Sequence, residues 1–122
     1  MLLEGKNKLF EENRTAKIYA IDLEKFDAKC IILFGSILSK DRVAKDVDVL
    51  FIIKNKGQIR GVNKFCLEIS KIRAKKVNPL IMLEQDFISN LKNGNKAIMD
   101  IVKTGIILKG EDIFLHAIKN AC

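Results

Sequence analysis

Two short runs limit the fold of this chain more than any other feature. Cys30-Ile31-Ile32-Leu33-Phe34 ends abruptly at Gly35-Ser36, and Asp46-Val47-Asp48 opens the second, Val47 to Ile53. Both are continuous, apolar and rich in β-branched residues, which reads as strands buried on both faces. They are expected to be neighbours at the centre of a sheet. Such a sheet needs a helical layer on each side, and the rest of the chain supplies the material. From Gln58 to Lys76 the apolar positions Ile59, Val62, Phe65, Cys66, Ile69 and Ile72 recur at threes and fours, as an amphipathic helix requires. Val77 to Leu83 reads as a third strand, and Pro79, which has no N–H to donate, points to an edge position or a local irregularity there. Glu84 to Leu91 and Lys96 to Thr104 read as helices separated by Lys92-Asn93-Gly94-Asn95. Ile106-Ile107-Leu108 reads as a short strand or extended segment and Glu111 to Asn120 as a closing helix. The expected fold class is α/β (α+β).

With 122 residues there is room for one core and not for two. Residues 29–122 are expected to form the domain, with 1–28 as an N-terminal extension packed on it or preceding it. Within that extension Lys17 to Leu23 reads as a strand and Met1 to Thr15 as poorly ordered, and the segment is too short to be a fused DNA-binding module. No apolar run reaches the length of a membrane span, and the first residues lack the apolar core of a signal peptide. The expected location is therefore cytoplasmic. Cys30, Cys66 and Cys122 are widely spaced and form no zinc pattern, so reduced thiols are expected, with Cys30 and Cys66 in the core. Lys and Arg exceed Asp and Glu by 22 to 15, a net charge of +7 that suits an anionic partner but is spread along the chain. A lysine-rich solvated surface accounts for that charge equally well.

The two strand ends carry the chemistry. In an extended strand, side chains at i and i+2 point to one face, so Asp46 and Asp48 stand together. Adjacent carboxylates repel unless a cation lies between them. Mg2+ takes one or two carboxylates, several waters and phosphate oxygens, which matches an Asp pair open to a triphosphate, and Mn2+ is a workable substitute. Gly35 lets the backbone approach the phosphates, and the Ser36 hydroxyl can hold phosphate oxygens. Lys40, Arg42 and Lys45, in the connecting loop, are candidates for further nucleotide contacts.

Leu33-Phe34-Gly35-Ser36 with Asp46-Val47-Asp48-Val49-Leu50 resembles the signature of the DNA polymerase β-like nucleotidyltransferase superfamily, especially its minimal stand-alone members. The resemblance covers nearly the whole chain from the first strand onward. It implies a mixed β-sheet flanked by helices (a nucleotidyltransferase fold), Mg2+ held by the Asp pair, and transfer of a nucleoside monophosphate from a nucleoside triphosphate, ATP first, to a hydroxyl of a protein or RNA acceptor, with pyrophosphate leaving. It also implies a helical HEPN-type partner, with this chain as the antitoxin of a toxin–antitoxin pair.

The chain departs from that pattern twice. The loop reads Ser39-Lys40-Asp41-Arg42, with Lys45 before Asp46, where the family commonly has a small pair after Gly-Ser and a Ser before the first Asp. On the third strand the family has another carboxylate, and the matching stretch Lys76-Val77-Asn78-Pro79-Leu80 puts Asn78 there. An amide oxygen can bind a metal but cannot take a proton from an attacking hydroxyl. Glu84 is six strand residues farther on, roughly 20 Å at ~3.3 Å each, and Asp86 is no closer. Either becomes a candidate if the third strand is shifted. Two other readings therefore stay open: a catalytically degenerate binding module acting through protein contacts, and a basic RNA-associated domain. His116 has no metal-spaced neighbour and reads as a helix-surface residue, while the scattered Phe residues read as core.

Overall fold

The computed structural model describes residues 5–39 and 43–121. Four strands, β1 (Cys30–Phe34), β2 (Asp46–Ile53), β3 (Lys76–Leu83) and β4 (Ile106–Lys109), form one sheet in the order β3-β2-β1-β4. β1 runs antiparallel to β2 and β4, and β2 runs parallel to β3, so the sheet is mixed. The two apolar runs occupy the two central positions, and the strand containing Pro79 is at an edge, where its missing donor breaks no ladder on the open side.

Six helices cover the two faces: α1 (Gly5–Glu12), α2 (Arg14–Leu23), α3 (Ile59–Ile72), α4 (Glu84–Lys92), α5 (Lys96–Thr104) and α6 (Glu111–Ala121). Alternation along the strands divides the core in two. Ile31, Leu33, Val47, Val49, Phe51 and Ile53 pack with α1, α2 and α3, while Cys30, Ile32, Leu50 and Ile52 pack with Phe87, Ile98, Ile101, Phe114 and Ala117 of α4, α5 and α6. Phe26, Phe51 and Phe65 form an aromatic group on the first face, with ring centroids 5.2–6.5 Å apart, and Phe87 and Phe114 meet at 6.5 Å on the second. The phenylalanines just named are thus packing residues. Cys30 and Cys66 are buried free thiols, and burial pushes both up to about 12.

The N-terminal region differs from the sequence expectation. Lys17 to Leu23 is not a strand; it belongs to α2, and residues 5–12, expected to be poorly ordered, form α1. The apolar residues are nearly continuous here, so their period is hidden until burial separates them. Ala16, Tyr19, Ala20 and Leu23 are buried at helical spacing, whereas Ile18 and Ile21, which suggested a strand, are 44% and 46% exposed. Asn13 caps the helix by accepting a hydrogen bond from Ala16 N at 3.0 Å. Helix α3 also ends earlier than expected. Arg73 turns extended after Ile72, and its guanidinium holds both carboxylate oxygens of Asp22 at 2.8 and 3.3 Å. No helix among the described residues is long and apolar enough to cross a membrane.

Candidate functional site

Asp46 begins β2 and Asp48 follows two residues later on the same face. The antiparallel register sets Asp48 opposite Phe34, the last residue of β1, and the parallel register sets it opposite Asn78 on β3. The chain then leaves β1 through Gly35, at φ +84°, and makes one turn of 3₁₀ helix over Gly35–Leu38. That left-handed conformation favours glycine, and space demands it as well. A Cβ built on Gly35 would lie 2.7 Å from Oδ2 of Asp48. The turn and the Asp pair are therefore in direct contact, with Ser36 half-buried next along the turn.

Asp46 is exposed and Asp48 half-buried. Partial burial raises the Asp48 carboxyl above its ordinary value; a side-chain hydrogen bond from Asn78 opposes this, and the negative charge of Asp46 adds to it. Among the described residues no cation pairs with either carboxylate. Lys45, next to Asp46, is exposed and makes no ion pair there, while Lys40 and Arg42 lie outside the described residues, as does Cys122. Asn78 stands where the third-strand expectation put it. Glu84 and Asp86 do not approach: β3 runs from Lys76 beside Asp46 to Leu83 beside Ile53, and both acids follow at that far end, with Glu84 held by Lys29 at 3.1 Å.

No three His, Cys, Asp or Glu side chains converge among the described residues, so of these only Asp46 and Asp48 offer carboxylates to a metal here. Those two carboxylates, the oxygen-bearing amide of Asn78 and the close glycine turn fit Mg2+, which fills its remaining positions with water and phosphate oxygens. They do not form a closed cage.

Several residues that support the site were not read from the sequence. The Asn13 amide donates to Ile37 O at 2.8 Å, tying the end of α2 to the turn that carries Ser36. The Lys75 ammonium donates to Ala44 O at 2.6 Å, and Lys75 N donates to the Tyr19 hydroxyl at 2.8 Å, which fixes the approach to Asp46. Asp100 and Thr104 of α5 face Gly35, Ser36, Leu38 and Ser39 across a cleft of about 440 Å³. Asn13 had a local signal, since an Asn before an apolar helical stretch is a capping residue. The others act across the fold and have none.

A four-stranded mixed sheet flanked by helices, with a Gly-Ser turn touching a strand-borne Asp-x-Asp pair, defines the class: a nucleotidyltransferase fold. No family model and no curated protein matches this sequence. Solved structures do match. A chain from a toxin–antitoxin structure with AMP-PNP aligns at TM-score 0.54 and 16% identity, covering 88% of this chain and 83% of that one. A chain from the complex of tri-AMPylated Shewanella oneidensis HEPN toxin with MNT antitoxin gives 0.51 and 16%, covering 90% and 82%. A chain from the toxin–antitoxin MntA-HepT gives 0.50 and 15% over the same shares. At these identities the likeness is one of fold.

Proposed function

We infer that this chain binds a nucleoside triphosphate, ATP first, with Mg2+ between Asp46, Asp48 and the Gly35-Ser36 turn, and transfers the nucleoside monophosphate to a hydroxyl on a protein or RNA acceptor, the acceptor oxygen bonding to the α-phosphorus as the bond to the β-phosphate breaks and pyrophosphate leaves. The observation that carries this reading is the contact between Gly35 and Asp48. A glycine forced by both φ and space against one of two unpaired carboxylates is the arrangement that lets backbone, metal and phosphate meet. A bound Mg2+ supplies neutralisation of the charge that builds on the phosphate oxygens. Asp46 and Asp48 would hold it, and Ser36 would orient phosphate oxygens. The complexes named above, one with AMP-PNP and one with an AMPylated HEPN toxin, support a HEPN-type protein as acceptor and an antitoxin role.

Asn78 favours a second reading, nucleotide binding without efficient transfer. Its amide donates toward Asp48, and no third described carboxylate joins Asp46 and Asp48 there to accept the proton of an attacking hydroxyl. The two readings separate in one experiment. ATP labelled at the α-phosphate is incubated with Mg2+, the chain and a HEPN-type protein. Label on the acceptor that rises about 100-fold or more with Asn78→Asp supports transfer limited by the missing base. Mg2+-dependent ATP binding with no label from either form supports the binding module, and absence of any Mg2+-dependent binding removes both.

A further inference from the structure

The cleft beside the Gly35-Ser36 turn divides into two chemistries. Phe34 and Leu38 give it apolar walls, Ser36 and Ser39 line the turn side, and Asp100 and Thr104 close it from α5. Its volume, about 440 Å³, is in the usual range for small-ligand sites. The position of α5 is fixed tightly. A Cβ on Gly105, just after the helix, would lie 2.7 Å from both Ile101 O and Ile32 Cγ2, so only glycine lets the end of α5 lie this close to β1. Ile98 and Ile101 anchor the buried side of the helix, and Asp100 stands on the exposed side. The Thr104 hydroxyl donates back to Asp100 O at 2.8 Å, and among the described residues Asp100 is the one charged group lining this cleft.

A carboxylate in that place is unsuited to phosphate. It does not join a three-ligand metal cluster with Asp46 and Asp48 either. What it can do is accept hydrogen bonds from neutral donors. Gly35 belongs both to this cleft and to the contact with Asp48, so the cleft adjoins the Asp pair and is within reach of a molecule whose phosphates lie there. We propose that this cleft takes the nucleoside half of the nucleotide and that Asp100 is a specificity residue, accepting a hydrogen bond from a ribose hydroxyl or a base amino group. The proposal rests on the metal and phosphate reading above for the orientation of the ligand.

The test uses four Mg2+-loaded probes, ATP, dATP, UTP and inorganic tripolyphosphate, titrated calorimetrically into the intact chain and into Asp100→Ala. Alanine at an exposed helical position keeps the fold. The expected result is ATP affinity about tenfold weaker in the variant, with tripolyphosphate unchanged, as loss of one hydrogen bond to a charged acceptor predicts. With the intact chain, weak dATP would assign the donor to the ribose, whereas weak UTP with normal dATP would assign it to the base amine, and either supports the proposal. Equal ATP affinity in the two proteins overturns it, as does an equal loss for tripolyphosphate. If the intact chain binds ATP but not tripolyphosphate, the phosphate reading fails and the Asp100→Ala comparison alone decides the cleft. If it binds neither, both readings fall.

Discussion

The two ends of β2 treat carboxylates in opposite ways. Around Ile53, two acids are held by lysines: Glu84 by Lys29 at 3.1 Å and Asp27 by Lys54 at 2.6 Å. Around Asp46, two carboxylates share one face with no described cation between them, and partial burial and mutual repulsion raise the Asp48 carboxyl. Lysine is not scarce in a chain with 22 Lys and Arg against 15 Asp and Glu. The difference is therefore one of placement. One end is closed by the protein's own ion pairs, and the other leaves negative charge for a cation from outside.

The largest effect should come from removing that charge. Asp46→Asn/Asp48→Asn is expected to weaken Mg2+-dependent ATP binding by about 100-fold or more, since charge-assisted contacts are lost together. Glu84→Gln, at the other end, is expected to leave binding unchanged and to cost at most about 1 kcal/mol of stability, the range for a partly exposed ion pair. Calorimetric titration and urea unfolding read both quantities. Equal losses of binding at the two ends would break the comparison.

Gly35→Ala probes the same end through the backbone. It should cost about 1–3 kcal/mol in urea unfolding, because alanine is strained at φ +84° and its Cβ would meet Asp48 Oδ2 at 2.7 Å. Combining it with Asp48→Ala separates the two causes. Relief of the clash appears as a coupling between the mutations, while the backbone cost stays. Purely additive losses would mean that the contact with Asp48 carries no energy.

Asn13→Ala should cost about 1 kcal/mol for the lost cap. Asn95→Ala is its control, because Asn95 caps α5 in the same way, accepting from Ile98 N at 3.1 Å, but reaches no part of the Gly-Ser turn. Both should lower stability similarly. Only Asn13→Ala should also weaken ATP binding, several-fold, because Asn13 alone holds Ile37 O. Matching affinities in the two variants would show that the N-terminal helices stabilise the fold without shaping the site.

How much of this was legible follows from where each signal resides. The central strands, the Asp pair and the edge placement of the Pro79 strand were readable because each depends on a local pattern: a continuous apolar run, a period of two, a missing donor. The placement of Asn78 opposite Asp48 was readable only through a resemblance, since parallel register is set by α3 and not by adjacent residues. The Lys17 to Leu23 segment was misread because Ile18 and Ile21 are apolar on the solvent side, which erased the helical period. Lys75, Tyr19 and Asp100 reach the site from distant parts of the chain, as the separation of 56 positions from Tyr19 to Lys75 illustrates. No window along the sequence could join them.

The smallest effect is the most diagnostic of why the end is open. Asp48 has a raised carboxyl, so the folded state holds its proton more tightly than the unfolded chain does. Stability from this group is fully present below the ordinary carboxylate value of 3.8 and is lost as pH rises through the raised folded value. At neutral pH the ionised side chain is thus a small liability, and Asp48→Asn, which is neutral throughout, should melt about 1–3 °C higher than the natural chain. The gap should shrink as pH falls through the raised folded value, where Asp48 itself takes up a proton. Adding Mg2+ and ATP should reverse the order at pH 7, because a ligand that binds only the natural folded state raises its Tm by mass action. A variant that is no more stable at pH 7, or that gains from Mg2+ and ATP as much as the natural chain, would mean that Asp48 is kept for packing; the expected crossing would mean that its charge is held at a cost for a cation.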